Sequence, residues 1–156
     1  MRPTTDRARE AWMSIVHADL PGAKVLDLFS GTGALGLEAL SRGAAFADFV
    51  EDSAKSIAVL KANIGALGAE SRCAVHREDA IRFIGKLARS GAGRYDIAFA
   101  DPPWRTDLAL ATANLWLESP FARIFGVECE AETVLPRSDE VRRYGDTAVT
   151  FYRAVT

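Results

Sequence analysis

Asp101-Pro102-Pro103-Trp104 is the segment whose residue types define a chemistry most narrowly. Two consecutive prolines fix φ and remove two amide donors, and Pro103 pushes Pro102 toward extended backbone. Backbone carbonyls are expected to be left free to accept. A planar exocyclic amine on a nucleobase has its lone pair delocalised into the ring. It is a poor nucleophile until acceptors on its N–H groups draw it toward tetrahedral geometry. Asp101 and the Pro102 carbonyl can supply two such acceptors, and Trp104 can stack on the base face, a contact worth about 1–3 kcal/mol in single-strand binders. A stiff loop with a packed tryptophan would use the same residues.

A second constellation begins at Asp27. Gly31, Gly33 and Gly36 spell G-x-G-x-x-G, and Glu51 stands 20 residues after Gly31. Absent side chains let a backbone turn sharply against a ligand, and an acid at that offset can accept from both ribose hydroxyls. These residues indicate an adenosine-containing ligand, with a nicotinamide or flavin dinucleotide and S-adenosylmethionine both open. Asp27 favours the sulfonium cofactor, because a carboxylate there can face an ammonium group and would repel a pyrophosphate. Its alternative role is to cap nearby loop amides.

Strands and helices must place these residues together. Apolar spacing predicts a helix over 6–17 with Thr4 or Thr5 as N-cap, then a strand from Lys24 to Phe29 and a helix from Leu35 to Arg42 capped by Gly43. Ala47–Glu51 reads as a strand, with a helix after it carrying Ile57, Leu60, Ile64 and Leu67 up to Gly68. A third strand is predicted over Arg72–His76, followed by a helix starting at Asp79, a Ser90–Gly93 loop and a fourth strand over Asp96–Ala100. Asp107–Leu117 reads as helix and Phe125–Cys129 as a fifth strand. Val141–Tyr144 and Ala148–Tyr152 flank a hairpin turn at Gly145-Asp146-Thr147. Strand–helix alternation closed by a hairpin predicts an α/β, doubly wound, mostly parallel sheet with helices on both faces, as one domain over 1–156. Such sheets bind ligands beyond the carboxyl ends of their strands, where the strand order reverses.

Composition narrows the class. The 156 residues are 49% hydrophobic and 26% charged, enough for a packed core and too apolar for disorder. With 19 Lys and Arg against 21 Asp and Glu, the formal charge of −2 excludes a purely electrostatic nucleic-acid coat. Cys73 and Cys129 have no ligand spacing, so no metal site is expected, and a reduced cytoplasmic home is. No apolar run is long enough to span a membrane. His17 and His76 show no partner spacing for metal or triad chemistry and are expected to serve packing or the surface. Arg72 to Arg105 carry seven cations against four acids, and Arg105, beside Trp104, is the best candidate for a phosphate contact.

Arg2-Pro3-Thr4-Thr5-Asp6-Arg7, the run from Val25 to Ala44, Asp101 to Trp104 and Tyr144-Gly145-Asp146-Thr147 together resemble the RsmD family of bacterial methyltransferases, nearly end to end. The resemblance implies a class I S-adenosylmethionine-dependent fold with seven strands. It also implies transfer of methyl to the N2 amine of one guanine in 16S ribosomal RNA, as naked RNA or in an assembling 30S particle, by an enzyme expected to be a monomer without metal. It places the methionine part against Asp27, Phe29, Ser30, Gly31 and Gly33, the ribose against Glu51 with Asp52 beside it, and the adenine against Asp79 and Ala80. Asp101, Pro102, Pro103 and Trp104 would hold the guanine, and Thr5 would reach the methionine carboxylate unless it is a plain N-cap.

Two departures stand out. The family's usual N-terminal basic hairpin, implicated in gripping RNA, would precede Arg2, so the resemblance reads the chain as truncated or as a minimal member. Trp104 stands where Tyr or Phe is commoner. Other readings of the same residues are a DNA or small-molecule amine methyltransferase, a nicotinamide-dependent oxidoreductase, and a fragment that has lost its RNA grip.

Overall fold

Seven strands form one sheet in the order β3-β2-β1-β4-β5-β7-β6, in a computed structural model that describes residues 6–90 and 94–155. The strands are β1 Lys24–Leu28, β2 Phe46–Glu51, β3 Cys73–Arg77, β4 Tyr95–Ala100, β5 Ala122–Glu130, β6 Glu140–Tyr144 and β7 Thr147–Arg153. The helices are α1 Asp6–Val16, α2 Ala34–Ser41, α3 Ala54–Ala66, α4 Ala80–Ser90 and α5 Leu108–Glu118. β1 to β5 are parallel, and β7 is antiparallel to both β5 and β6. The chain winds outward one way from β1 through β2 to β3, then returns to β4 and winds the other way. The strand order therefore reverses between β1 and β4, where such sheets open a crevice.

Both faces of the sheet are covered, which is why β1, β2 and β4 are almost wholly buried rather than alternating. On one face Trp12, Met13, Leu37, Leu40, Leu60 and Ile64 pack on Phe49, Phe99 and Phe151. Trp12 sits edge-on to Phe99 and Phe151 at centroid distances of 5.1 and 5.5 Å, arrangements in which each ring edge meets the negative face of another. On the other face Phe83, Ile84, Ala113 and Trp116 cover Leu26, Leu28, Phe125 and Tyr152.

The predicted doubly wound architecture is present, and the differences lie at element ends. α1 stops at Val16 and a 3-10 turn follows over His17–Asp19. β1 ends at Leu28, because Phe29 takes φ 57° and turns the chain out of the ladder. Arg42, rather than Gly43, caps α2, and Gly43 follows it at φ 110°. Asp79 is the N-cap of α4 rather than its first residue, accepting from the Arg82 amide at 3.0 Å. β3 lies over Cys73–Arg77, one residue beyond its expected span, because a 3-10 turn takes Glu70–Arg72. β5 extends beyond the predicted Phe125–Cys129 at both ends, since β4 and β7 pair with it along almost its whole length. The expected cap at Thr4 or Thr5 and the loop glycines Gly91 and Gly93 lie outside the described residues.

His76 does more than pack. Its Nε2 lies 2.8 Å from Asp48 Oδ1, while the Tyr95 hydroxyl donates to Asp48 Oδ2 at 2.7 Å. Asp48 thus ties β2, β3 and β4 together under α4. Burial, then the Asp48 bond, pushes the Tyr95 phenol well above its ordinary value.

Candidate active site

A cavity of about 650 Å³ opens at the carboxyl end of the sheet, at the reversal between β1 and β4. Its walls include Asp27, Phe29, Ser30, Gly31, Glu51 and Asp101, and Asp52 also lines it. A lesser recess of about 100 Å³ shares Phe29, Glu51 and Asp52 with it and continues to Asp79, Ala80, Pro103 and Leu108. Ten of the residues expected at the site therefore border one or other of these adjoining spaces, while Gly33, Pro102, Trp104 and Arg105 line neither. Thr5 lies outside the described residues.

Local hydrogen bonds shape the loop after β1. The Ser30 hydroxyl donates to the Asp27 carbonyl at 2.6 Å and accepts from the Val50 amide at 3.0 Å, fastening the loop to β2. Phe29 pays for the turn with a left-handed backbone, of order 1–3 kcal/mol for a residue with a side chain. The motif glycines divide their work. Gly31 lines the cavity, whereas a Cβ on Gly33 would meet Leu60 of α3 and a Cβ on Gly36 would overlap Phe49 Cε1 and stand 2.9 Å from its Cζ. Gly33 and Gly36 thus let α2 and α3 close on the sheet. Phe49 is fully buried and has no room to retreat. Gly36→Ala should cost about 1–3 kcal/mol of stability, read as a lowered midpoint in thermal unfolding.

Charge decides which ligand fits. Asp27 is 1% exposed and accepts from the Gly36 amide at 3.0 Å. Burial pushes its carboxyl well above the ordinary range, the Gly36 bond works against that, and the charges of Asp101 and Glu51 add to it. Asp27 therefore both caps the loop, as one reading of the sequence has it, and faces the cavity. Glu51 accepts from Gly31 N–H at 2.7 Å through Oε1 and from Ser53 N–H at 3.0 Å through Oε2. Each carboxylate oxygen has a further lone pair, so Glu51 can still take two hydroxyls. A diphosphate would meet four carboxylates, those of Asp27, Glu51, Asp52 and Asp101, against the two cations Arg9 and Lys55, and the Gly31 amide that could hold it is already bonded to Glu51. A ligand bearing sulfonium and ammonium charges fits these walls.

The acceptor corner follows β4. Asp101 is 8% exposed, Pro102 is buried, Pro103 and Arg105 are exposed and Trp104 is half-buried. One bond bears on this corner: the Thr106 hydroxyl donates to the Pro103 carbonyl at 2.7 Å, using one of that oxygen's two lone pairs. The acceptor pair named from the sequence, Asp101 and the Pro102 carbonyl, is untouched by it. Arg105 has φ 62°, and its amide donates to Glu130 Oε2 at 2.9 Å.

Sequence reasoning missed Arg9, Ser53, Lys55, Ser56 and Val59 on the cavity wall. Position alone could have indicated those on α3, whose first turn must start at the same end of the sheet as Glu51. Nothing local marks Arg9.

Fold and site together define a class I methyltransferase, the class whose methyl donor is S-adenosylmethionine. Residues 1–153 match the family described as Conserved hypothetical protein 95. The chain is 43% identical over 145 residues to Ribosomal RNA small subunit methyltransferase D of Escherichia coli (strain K12), covering 87% of this chain and 68% of that protein. It is 33% identical over 161 residues to Putative rRNA methyltransferase YlbH of Bacillus subtilis (strain 168), covering 97% of this chain and 87% of the relative. Among solved structures, Putative methyltransferase yhhF from Escherichia coli superposes with a TM-score of 0.83 at 33% identity, covering 98% of this chain and 87% of that one. The chain belongs to the RsmD family of methyltransferases. The fold is shared with the SAM Dependent Methyltransferase from Agrobacterium tumefaciens at a TM-score of 0.72 and 23% identity, covering 98% of this chain and 63% of that one.

Proposed function

We propose that the chain transfers methyl from S-adenosylmethionine to the exocyclic N2 amine of a guanine in 16S ribosomal RNA. The observation that carries this reading is that Asp101, held behind Pro102 and Pro103, lines the same cavity as Asp27 and Glu51. The names of the relatives, which are ribosomal RNA methyltransferases, support the RNA as substrate. No helix among the described residues is long and apolar enough to cross a membrane, and no group of three or more His, Cys, Asp or Glu there could hold a metal ion. The substrate is ribosomal RNA, free or in an assembling particle, met by a monomer in the cytoplasm.

The cofactor supplies an electrophilic methyl group on a sulfonium sulfur. Asp27 would face its ammonium group, Ser30 and Gly31 would hold the methionine part, Glu51 with Asp52 would take the ribose hydroxyls, and Asp79 with Ala80 would hold the adenine at the lesser recess. A guanine unstacked from its helix enters beside the Asp101–Trp104 corner. Asp101 and the Pro102 carbonyl accept from the two N–H groups of its amine, drawing nitrogen out of conjugation, and Trp104 stacks on the ring. Holding nitrogen in line with the methyl group gains rate through orientation and through fixed dipoles aimed at the changing charge. The methylated amine is acidic, so Asp101 or water takes its proton without needing unusual basicity.

Methyl transfer into purified small subunits, naked ribosomal RNA, DNA and free amines, followed by digestion to nucleosides, tests the reading. N2-methylguanosine from ribosomal RNA is the expected product. Methyl only in DNA or a small amine would overturn the substrate assignment. Exposed Arg105 supplies a phosphate contact, so Arg105→Ala should reduce the salt dependence of RNA binding by roughly one unit of slope. An unchanged slope would reject that contact.

A further inference from the structure

Glu130 ends β5 and stands where three segments of the rim meet. Its Oε2 accepts from the Arg105 amide at 2.9 Å, across 25 residues of chain. Its backbone pairs with Thr147, the residue at which β7 leaves the hairpin turn, and its carbonyl accepts from the Thr133 amide at 3.0 Å. The next amide, that of Ala131, donates to the Asp146 carbonyl at the hairpin tip at 2.8 Å. Arg105 itself is held at φ 62°, a left-handed conformation that a residue with a side chain does not adopt without outside support. The carboxylate on its amide is that support. The bond also orders the residue immediately after Trp104.

We infer that Glu130 is a positioning residue for the acceptor corner: it holds the turn after Trp104 in place and fastens that turn to the tip of the β6–β7 hairpin. This rests on the proposed role of Trp104 in stacking the base. Glu130 does not line the cofactor cavity, so its effect is routed through the loop.

Glu130→Ala, Glu130→Gln and the double variant Glu130→Ala with Arg105→Gly, each in the full chain, test this. In Glu130→Ala, deuterium exchange at the Arg105 amide should accelerate about tenfold or more and kcat on RNA should fall about tenfold, because a charge-assisted bond is lost. Cofactor affinity by calorimetry should stay within about twofold, as expected for a site that is not touched. Glu130→Gln keeps an acceptor oxygen and should restore most of kcat. The double variant should also recover kcat, because glycine adopts the positive φ without strain, while its KM for RNA rises with loss of the guanidinium. Unchanged exchange in Glu130→Ala, or a fall in kcat that neither Gln nor the added glycine relieves, overturns the inference. Exchange needs no substrate. A wild-type chain that methylates no RNA therefore overturns the functional reading alone, and accelerated exchange in Glu130→Ala still supports the anchored turn.

Discussion

Asp101→Ala is expected to reduce methyl transfer to RNA by at least about 100-fold while cofactor affinity stays within a few fold, the signature of a group that acts on the reacting atoms. The expectation follows from where Asp101 stands. It leaves the end of β4 into two prolines that fix its backbone, and it is 8% exposed on the cavity wall. Asp27, Ser30 and Glu51 fasten the loop after β1 through their own hydrogen bonds, which Asp101→Ala leaves in place. Removing the Asp101 carboxylate deletes an acceptor for the amine. It also removes a charge that raises the Asp27 carboxyl, which makes ionised Asp27 slightly easier to keep. Single-turnover transfer at saturating RNA, set beside calorimetry of the cofactor, separates the two effects. Unaltered turnover would take Asp101 out of the mechanism.

Asp27→Asn should stabilise the free protein near neutral pH and weaken the cofactor by roughly 10- to 100-fold, the range for one charge-assisted hydrogen bond. The sign comes from the raised carboxyl. Folded Asp27 holds its proton more tightly than the ordinary value of 3.8 for the unfolded chain, chiefly because burial penalises the charge. Its favourable contribution is complete below that ordinary value and is lost as pH rises through the raised folded value. Above that, the protein carries a buried charge that its cationic ligand would offset. Asparagine keeps an oxygen for the Gly36 amide and has no charge to bury. Thermal midpoints of the two proteins should converge in acid and separate toward neutrality, with the variant the higher. At pH values below or near the raised folded value, cofactor binding to the wild type should release protons, read as a dependence of calorimetric heat on buffer ionisation enthalpy. A variant less stable than wild type at neutral pH would contradict the assignment of burial as the dominant cause.

Much of this was legible from local pattern. Ile57, Leu60 and Ile64 fall on one face of α3 and are buried there, as their spacing requires. The interval from Gly31 to Glu51 proves to be a physical contact, since the glycine amide donates to that carboxylate. What escaped depends on pairing far along the chain. Nothing near Glu130 reveals that β5 and β7 will carry it to Arg105, and nothing near His76 reveals Asp48. Phe29 and Arg105 occupy left-handed backbone against residue preference, and the Arg105 amide is held there by Glu130 from 25 residues away. The bond from Thr106 to the Pro103 carbonyl escaped because proline's missing donor says nothing of what a neighbour will donate.

A crystal structure with the cofactor product and a guanine-bearing RNA fragment tests the central claim most directly. The account predicts the N2 nitrogen within hydrogen-bonding distance of an Asp101 oxygen and of the Pro102 carbonyl, with the ring against Trp104. It places the same nitrogen in line with the sulfur, at the near-attack spacing of about 3–3.5 Å from where the transferred methyl carbon stood. A bound base whose N2 points away from Asp101, with another atom of the nucleotide facing the sulfur, would contradict it.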